Sequence, residues 1–374
     1  MIPLRVVLAV TALAASGLGA QGSISNQGLG YPLGGLSGAA AAMSGASAEL
    51  DPNSQVNPAA ITRSNRFSIA VRFEPERKTA TIGGERVGSN LVRFPSIHAS
   101  GSFGRFVGTL GVSAMLDRTW RNTISDSLQV GGDWMPSTLQ VHSEGAMGDA
   151  RAAIGYVVSP RLQVGAALHA IVGENRTLFF RSFDDTSGVQ SIAQQNSFGF
   201  GGSAVSFGVV AEPLTDLILA ASARLGQEMF VELLGDELAS ATVPNRFGLG
   251  VAYHGIGGVA LHARIDRTNW SDLQTLVSDS IPVFDATEVA LGVEALGPRL
   301  FGTSTALRAG VRGRTLPFGV TGREVKERGF SFGVALPLAR GRTLIDLGAQ
   351  RMERTTPGFK ENAWLISLGI GIRP

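Results

Sequence analysis

The charged side chains that could bind a ligand fall at alternate positions of short segments. Arg308 and Arg312 lie four residues apart, and Arg264 lies two residues before Asp266. Residues two or four apart in a β-strand share a face, so each set projects to one side. A planar guanidinium donates two parallel hydrogen bonds to a carboxylate, so Arg264, Arg308 and Arg312 are candidates to receive an acidic ligand. The alternative is that these arginines hold an N-terminal plug inside the fold, or form ion pairs with acidic residues of other strands. Those acids are Glu288, Glu294 and Asp346.

The residue types that enzymes use for catalysis form no recognisable site. The chain contains no cysteine, so disulfides, thiolate metal ligands and cysteine nucleophiles are excluded. Its five histidines are scattered without metal-ligand spacing, and no Gly-x-Ser-x-Gly elbow occurs. The glycine pattern from Gly199 to Ala204 is not followed by a helix, so it lacks the context of a dinucleotide site. We therefore expect that the protein is not an enzyme and that it binds no cofactor and no metal.

The elements that must position the charged residues are β-strands. Fourteen segments alternate apolar with small or polar residues, and every second residue from Trp364 to Ile372 is apolar. So many amphipathic strands, with almost no helical pattern between them, are typical of a closed barrel whose apolar side faces lipid. The formal net charge of +2 argues against a nucleic-acid-binding surface. The predicted fold is all-β: a fourteen-stranded antiparallel transmembrane β-barrel over residues 66–374, with an N-terminal plug.

The connections between the strands alternate in length. Short turns carrying Gly or Pro, such as Ser159-Pro160-Arg161, alternate with long polar segments at Asp117 to Met147, Gly173 to Ser197 and Arg267 to Ala286. Outer-membrane barrels have short periplasmic turns and longer external loops. A soluble β-sandwich, the alternative, has no reason to alternate loop length so strictly. The sequence therefore predicts location in a bacterial outer membrane.

The N-terminal part of the chain does not follow the strand pattern. Residues 1–20 have one positive charge, an apolar stretch and a small-residue end, which is typical of a signal peptide. Residues 21–65 are rich in small residues and are either a disordered leader or a compact plug, called a hatch, inside the barrel. A fourteen-stranded barrel is too wide to be filled by its own wall side chains, which favours the plug.

Three stretches resemble the long-chain fatty-acid outer-membrane transporter family (FadL-like), which includes aromatic-hydrocarbon channels. The N-terminal stretch runs from Gly34 through Asp51 to Asn57-Pro58-Ala59-Ala60-Ile61; the others are Pro244 to Tyr253 and Ile265 to Leu273. The resemblance implies a hatch-plugged fourteen-stranded barrel. It also implies that Asp51, Asn57, Pro58 and Ala59 belong to the gating part of the hatch. Pro58 additionally biases Asn57 away from helix, which makes a rigid elbow into the first strand.

The function that follows is an outer-membrane channel for passive uptake of hydrophobic small molecules, either long-chain fatty acids or hydrocarbons. The alternative is a structural or secretion-associated outer-membrane barrel without transport activity. The expected partners are a hydrophobic ligand, outer-membrane lipids and the barrel-assembly machinery, with no nucleic acid. We expect a monomer.

Overall fold

The computed structural model describes residues 24–64, 67–82, 85–130, 132–184, 188–233, 235–278, 281–300 and 302–373. Residues 1–20, the predicted signal peptide, lie outside the described residues. No helix of the described part is long and apolar enough to span a membrane.

The described strands form one closed antiparallel barrel, in which β14 pairs with β1. Fourteen strands make up the wall, and the prediction of a fourteen-stranded antiparallel β-barrel is confirmed. They are β1 (Ser68–Ile82), β2 (Glu85–Phe103), β3 (Phe106–Asp117 and Trp120–Val130), β4 (Asp133–Ser159), β5 (Leu162–Phe183), β6 (Ile192–Leu214), β7 (Leu217–Leu233), β8 (Asp236–Thr242 and Arg246–Ile256), β9 (Val259–Thr268), β10 (Ala286–Leu300), β11 (Thr303–Thr315), β12 (Lys326–Leu338), β13 (Thr343–Thr356) and β14 (Phe359–Ile372).

Two of these strands are interrupted, yet each counts once in the wall. Both parts of β3 pair with β4, and both parts of β8 pair with β7. The chain leaves the regular ladder at Arg118 and Thr119 in β3 and at 243–245 in β8. Each interruption therefore bends a continuous strand and does not add a new one.

The two faces of the wall have opposite chemistry. Outward-facing residues are apolar and exposed; Leu249 and Leu291 are 58% and 54% accessible. Residues at the alternate positions point into the lumen, where charged side chains such as Arg354 and Glu361 are completely buried. Since an apolar exterior with a polar interior is stable in lipid and not in water, the wall is built to span a membrane.

The three longest connections between strands, at 184–191, 269–285 and 316–325, all lie at one end of the barrel, which we call the upper end. The turn at Ser159 to Arg161 joins β4 to β5 as predicted and lies at the other end, which we call the lower end. At the upper end, the segment from Arg267 to Ala286 is a loop with a 3-10 helix at Trp270–Leu276. The prediction of loops at Asp117 to Met147 and Gly173 to Ser197 is wrong, because most of both segments is strand that extends the wall. Above the membrane both faces meet water, so the alternation that reveals a strand disappears.

The N-terminal segment, Ile24–Ser64, runs through the lumen from the upper to the lower end. Ile24 packs with Ala80 and Phe359, which lie where β1 ends and β14 begins. Farther along, helix α1 (Gly38–Ala42) contacts β12, β13 and β14. Ser37 caps it by accepting a hydrogen bond from the Ala40 amide at 3.0 Å. Ile61 then packs near the lower end.

Strand β3 separates from β2 in the upper half of the wall. The described ladder between them ends at the Ser96–Ser113 pair, although β2 continues upward to Glu85. Where β3 departs, Tyr31 and Pro32 of the N-terminal segment pair with Asp117 and Leu116. The N-terminal segment thus supplies a short strand to an edge that β2 leaves.

Candidate functional site

An apolar cluster fills the upper half of the lumen beneath the loop between β9 and β10. Trp270 and Leu273 of the 3-10 helix contribute buried side chains from the loop, and Met115, Met147 and Met229 contribute buried side chains from the wall. Methionine side chains are flexible and polarisable, so they adapt to apolar partners of different shape. This region can accommodate a hydrophobic molecule through rearrangement of side chains. The other members of the upper apolar cluster are Leu29, Leu116, Ile171, Ala204, Val243, Leu276, Val277, Val283 and Phe318.

A cavity of about 100 Å³ lies directly below this cluster. Met115 and Trp270 belong to both the cluster and the cavity wall, so the two are continuous. The N-terminal segment lines one side with Leu33, Leu36 and Val56. The opposite side carries charge, and the arginines there are Arg224, Arg246, Arg264, Arg312 and Arg314. The cavity is therefore apolar on one side and charged on the other, where Asp149, Asp266 and Glu288 lie among the arginines.

The three arginines predicted as ligand-binding residues are all ion-paired. Arg264 donates to Glu288 at 2.7 Å, Arg312 donates to Glu327 at 3.0 Å, and Arg308 donates to Glu294 at 2.6 Å. The structure brings Arg264 and Arg312 together in the cavity wall; Arg308 pairs elsewhere, with Glu294 and Asp346. Among the described residues, the Nε atoms of Arg264 and Arg312 are buried without a hydrogen-bond partner. Their role in binding a ligand stays a prediction.

The centre of the charge network is Tyr31, a residue that the sequence patterns did not single out. Its hydroxyl donates to Glu327 at 2.7 Å and accepts from Arg314 at 2.6 Å. The Arg354 guanidinium lies 4.1 Å from the ring centroid, within the range of a cation–π contact. Glu327 also accepts from Arg312, Arg314 and Arg354, so this buried carboxylate is fully surrounded by donors. Tyr31 lies outside the alternating strands, which is why no periodic signal marked it.

The predicted hatch residues lie at the lower end of the lumen. Asn57 donates to the Glu49 carbonyl at 3.0 Å and accepts from the Ala59 amide at 2.9 Å. Pro58 lies against Gly165 of β5, where a side chain would collide with it. Asp51 accepts hydrogen bonds from Ser54 and from the Asn53 amide. These contacts fix the elbow that leads into β1, while their role in gating stays a prediction.

Asp149, His169 and Ser206 form a hydrogen-bonded chain in the cavity wall. His169 lies 2.9 Å from Asp149 through Nδ1 and 2.8 Å from Ser206 through Nε2. Such an order of groups can activate a hydroxyl nucleophile. Here all three side chains project from neighbouring strands, whose backbone amides are engaged in the ladder and cannot form an oxyanion hole. No group of three or more described acidic or histidine side chains is placed to hold a metal ion.

Solved structures share this architecture over almost the whole chain. A FadL homologue from Pseudomonas aeruginosa superimposes with a TM-score of 0.62 at 13% identity, covering 92% of this chain and 99% of that one. The chain has the FadL fold. The toluene transporter TbuX of Ralstonia pickettii matches with a TM-score of 0.55 at 14% identity, covering 91% of this chain and 99% of its own. The toluene transporter TodX of Pseudomonas putida gives 0.55 at 13% identity, covering 91% and 98%.

The FadL fold and the apolar exterior of the wall place the protein in a bacterial outer membrane. TbuX and TodX, which share this fold, are toluene transporters. No protein-family model and no curated protein matches the sequence.

Proposed function

We propose that this FadL-type barrel passes hydrophobic small molecules, fatty acids or hydrocarbons, into the cell by diffusion. The observation that carries the proposal is the continuity of the upper apolar cluster with the cavity through Met115 and Trp270. A hydrophobic molecule that enters from the upper end finds an apolar path as far as the N-terminal segment. The transport activity of the structurally similar toluene proteins supports the same reading.

The chemistry of the cavity favours cargo with an acidic end. The buried Nε–H groups of Arg264 and Arg312 make no hydrogen bond in the described part of the protein, and the Arg264 Nε lies 3.7 Å from the Glu49 carboxylate; both arginines line the charged side of the cavity. A ligand carboxylate could accept from these groups while its hydrocarbon tail remains in the apolar cluster. When no ligand carboxylate is bound, each of these buried donors lacks a hydrogen bond, which costs about 1–3 kcal/mol. This arrangement favours a fatty acid over an uncharged hydrocarbon.

The N-terminal segment acts as the gate in this proposal. It lines one side of the cavity with Leu33 and Leu36, and Tyr31 and Pro32 cover the edge of β3 that faces away from β4. Displacing Ile24–Leu33 would open a sideways route where β3 leaves β2. Asp51, Asn57, Pro58 and Ala59 hold the lower part in place while the upper part moves.

The test is uptake of two probes by cells that produce the wild type or a variant lacking residues 24–48, with the signal segment kept. One probe is a radiolabelled long-chain fatty acid and the other is a small polar sugar. We expect the wild type to take up only the fatty acid, and the deletion to admit the sugar as well. An empty-vector strain sets the background.

The same experiment separates the alternative of a structural or secretion-associated barrel. If the protein is such a barrel, cells that produce the wild type will take up the fatty acid at the same rate as the empty-vector strain. That result, in cells where the barrel is present and folded, would contradict the transport proposal.

A further inference from the structure

Six basic side chains project from the outer face of the wall near the upper end. They lie on five adjacent strands, from β12 through β13, β14 and β1 to β2. Four of them are exposed and form no salt bridge among the described residues. The other two are Arg351, which stacks on Trp364, and Lys360, which pairs with Glu353. The four are Arg77, Arg86, Lys326 and Arg328. We call all six the outer basic patch.

The strand register arranges this patch in three transverse rows. The uppermost row contains Lys326, Thr355, Lys360, Thr81 and Arg86, which are successive partners across the five strands. Two residues lower, Arg328 lies opposite Glu353. The lowest row contains Phe330, Arg351, Trp364, Arg77 and Asn90. With strands about 4.8 Å apart, the rows are about 19 Å wide.

The height of the patch can be read from β14. Its outward side chains are apolar from Ile372 up to Trp364 and polar above, at Asn362 and Lys360. Eight residues of strand tilted by about 40° rise about 21 Å along the membrane normal, close to the roughly 25 Å of a barrel's apolar band. Trp364 therefore lies at the upper boundary of the hydrocarbon. The outer basic patch lies at the height of the lipid headgroups.

The charge of this face is unbalanced and differs from that of the opposite wall. Glu353 is the one carboxylate among the described outward side chains of the three rows. On the far side of the barrel, the upper outward positions of β5, β7 and β8 are mainly acidic. Those residues are Glu174, Glu228, Glu232 and Glu237, with Arg176 paired to Glu174.

We propose that the outer basic patch binds a phosphorylated, multiply acylated glycolipid of the outer leaflet. The guanidinium and ammonium groups of the upper two rows would contact the phosphates of its sugar headgroup. Phe330 and Trp364 of the lowest row would pack against its acyl chains, since aromatic rings favour the boundary between hydrocarbon and headgroups. The two observations, a one-sided charge and its height above the apolar band, are both needed for this ligand.

The proposal is tested with purified full-length barrel in neutral detergent, titrated with fluorescent lipid A that carries two phosphates. The variant combines Arg77→Gln, Arg86→Gln, Lys326→Gln and Arg328→Gln. The matched control combines Arg176→Gln and Arg267→Gln, which remove two exposed arginines from other parts of the wall. Heat-modifiable migration on gels verifies that each protein is a folded barrel.

We expect the four-residue variant to bind lipid A at least tenfold more weakly than the wild type, and the control to bind within twofold. Lipid A without phosphates should bind the wild type as weakly as the variant binds the intact lipid. If the four-residue variant does not fold, Arg77→Gln and Arg328→Gln alone should each weaken binding two- to threefold.

Three results would overturn the assignment. One is equal binding of lipid A by the wild type and the folded four-residue variant. A second is equal binding of the phosphorylated and dephosphorylated lipids. The third is displacement of lipid A by an equal concentration of inorganic pyrophosphate, which would make free phosphate and not a lipid the ligand.

Discussion

The lower and upper halves of the N-terminal segment differ in the part of the wall that they pack against. The lower half, Gly38–Ser64, fits against glycines of the wall: α1 and the residues after it approach Gly310, Gly333 and Gly369 closely. The upper half, Ile24–Leu33, combines apolar contacts of Ile24 and Leu29 with hydrogen bonds, among them Tyr31 to Glu327 and Ser25 to Lys78. Close-packed contacts are lost only when the packed surfaces separate, whereas a hydrogen bond to the wall can be replaced by one to water or to a ligand.

This difference divides the segment into an anchor and a movable part. The anchor places backbone on backbone, so it tolerates no displacement without a cavity or a clash. The movable part exchanges its partners at a modest net cost, because each hydrogen bond to a charged group contributes about 1.5–3 kcal/mol. A ligand carboxylate that competes for the arginines around Tyr31 would release the upper half and leave the lower half in place.

The largest expected effect comes from breaking the anchor. A Cβ atom at Gly310 would lie 2.3 Å from the carbonyl carbon of Met43, so Gly310→Val must displace the segment. Overpacking of this kind typically costs about 1–3 kcal/mol or more. We expect leakage of a small polar sugar at least tenfold above wild type, together with faster proteolysis of the N-terminal segment.

Gly313→Val in the same strand provides the matched control, because nothing lies within 4 Å of the added Cβ. It should behave as the wild type in both measurements. Equal leakage from the two variants would show that the close fit of the lower half does not seal the lumen.

A smaller effect is expected when the elbow of the anchor is weakened. Asn57→Ala removes the side chain that links the Glu49 carbonyl to the Ala59 amide, leaving buried groups unsatisfied at about 1–3 kcal/mol. Sugar leakage should rise severalfold while the barrel stays folded, as judged by heat-modifiable migration. Asn53→Ala, a change to a neighbouring asparagine that is only half-buried, is the control. Wild-type leakage from Asn57→Ala would mean that Asn57 only shapes the connection to β1.

The smallest effect is expected from loosening the upper half. Tyr31→Phe keeps the ring beneath Arg354 and removes the hydroxyl that joins Glu327 to Arg314. Fatty-acid uptake should increase about two- to fivefold without leakage of the sugar, because the anchor still closes the lumen. Tyr253→Phe, on the exposed outer face, should change neither flux. Leakage of sugar from Tyr31→Phe would show that the two halves move as one unit.

The wall could be predicted from the sequence because lipid imposes a strict period of two on its strands. All fourteen strands carry that alternation in the part that crosses the membrane, and Trp364 to Ile372 is the clearest example. The extensions of β3 to β6 above the membrane lack it, so those residues were wrongly predicted to be loops. Turns such as the one at Pro160 could be predicted because the preference of proline for a turn depends on the residue itself and not on distant partners.

The interior was harder to predict because its contacts join residues far apart in the chain. The alternation placed Arg264 and Arg312 on the lumen side, but nothing in the spacing showed that Glu288 and Glu327 pair with them. Tyr31 lies almost 300 residues before its partner Glu327, in a segment without periodicity. Only the closed barrel brings such residues together.

The claim that the upper half must move can be tested by locking it to the wall. Pro32 and Leu116 are register partners, and opposed residues of an antiparallel pair have Cα atoms about 4.5–5.5 Å apart, which a disulfide can bridge. The chain has no other cysteine, so Pro32→Cys with Leu116→Cys can form only this bond within the protein. The measurement is fatty-acid uptake by the double variant before and after reduction, with Pro32→Cys alone as control. We predict that the oxidised double variant falls to the empty-vector rate and that reduction restores uptake. Equal uptake in the oxidised and reduced states would contradict a gate formed by the upper half.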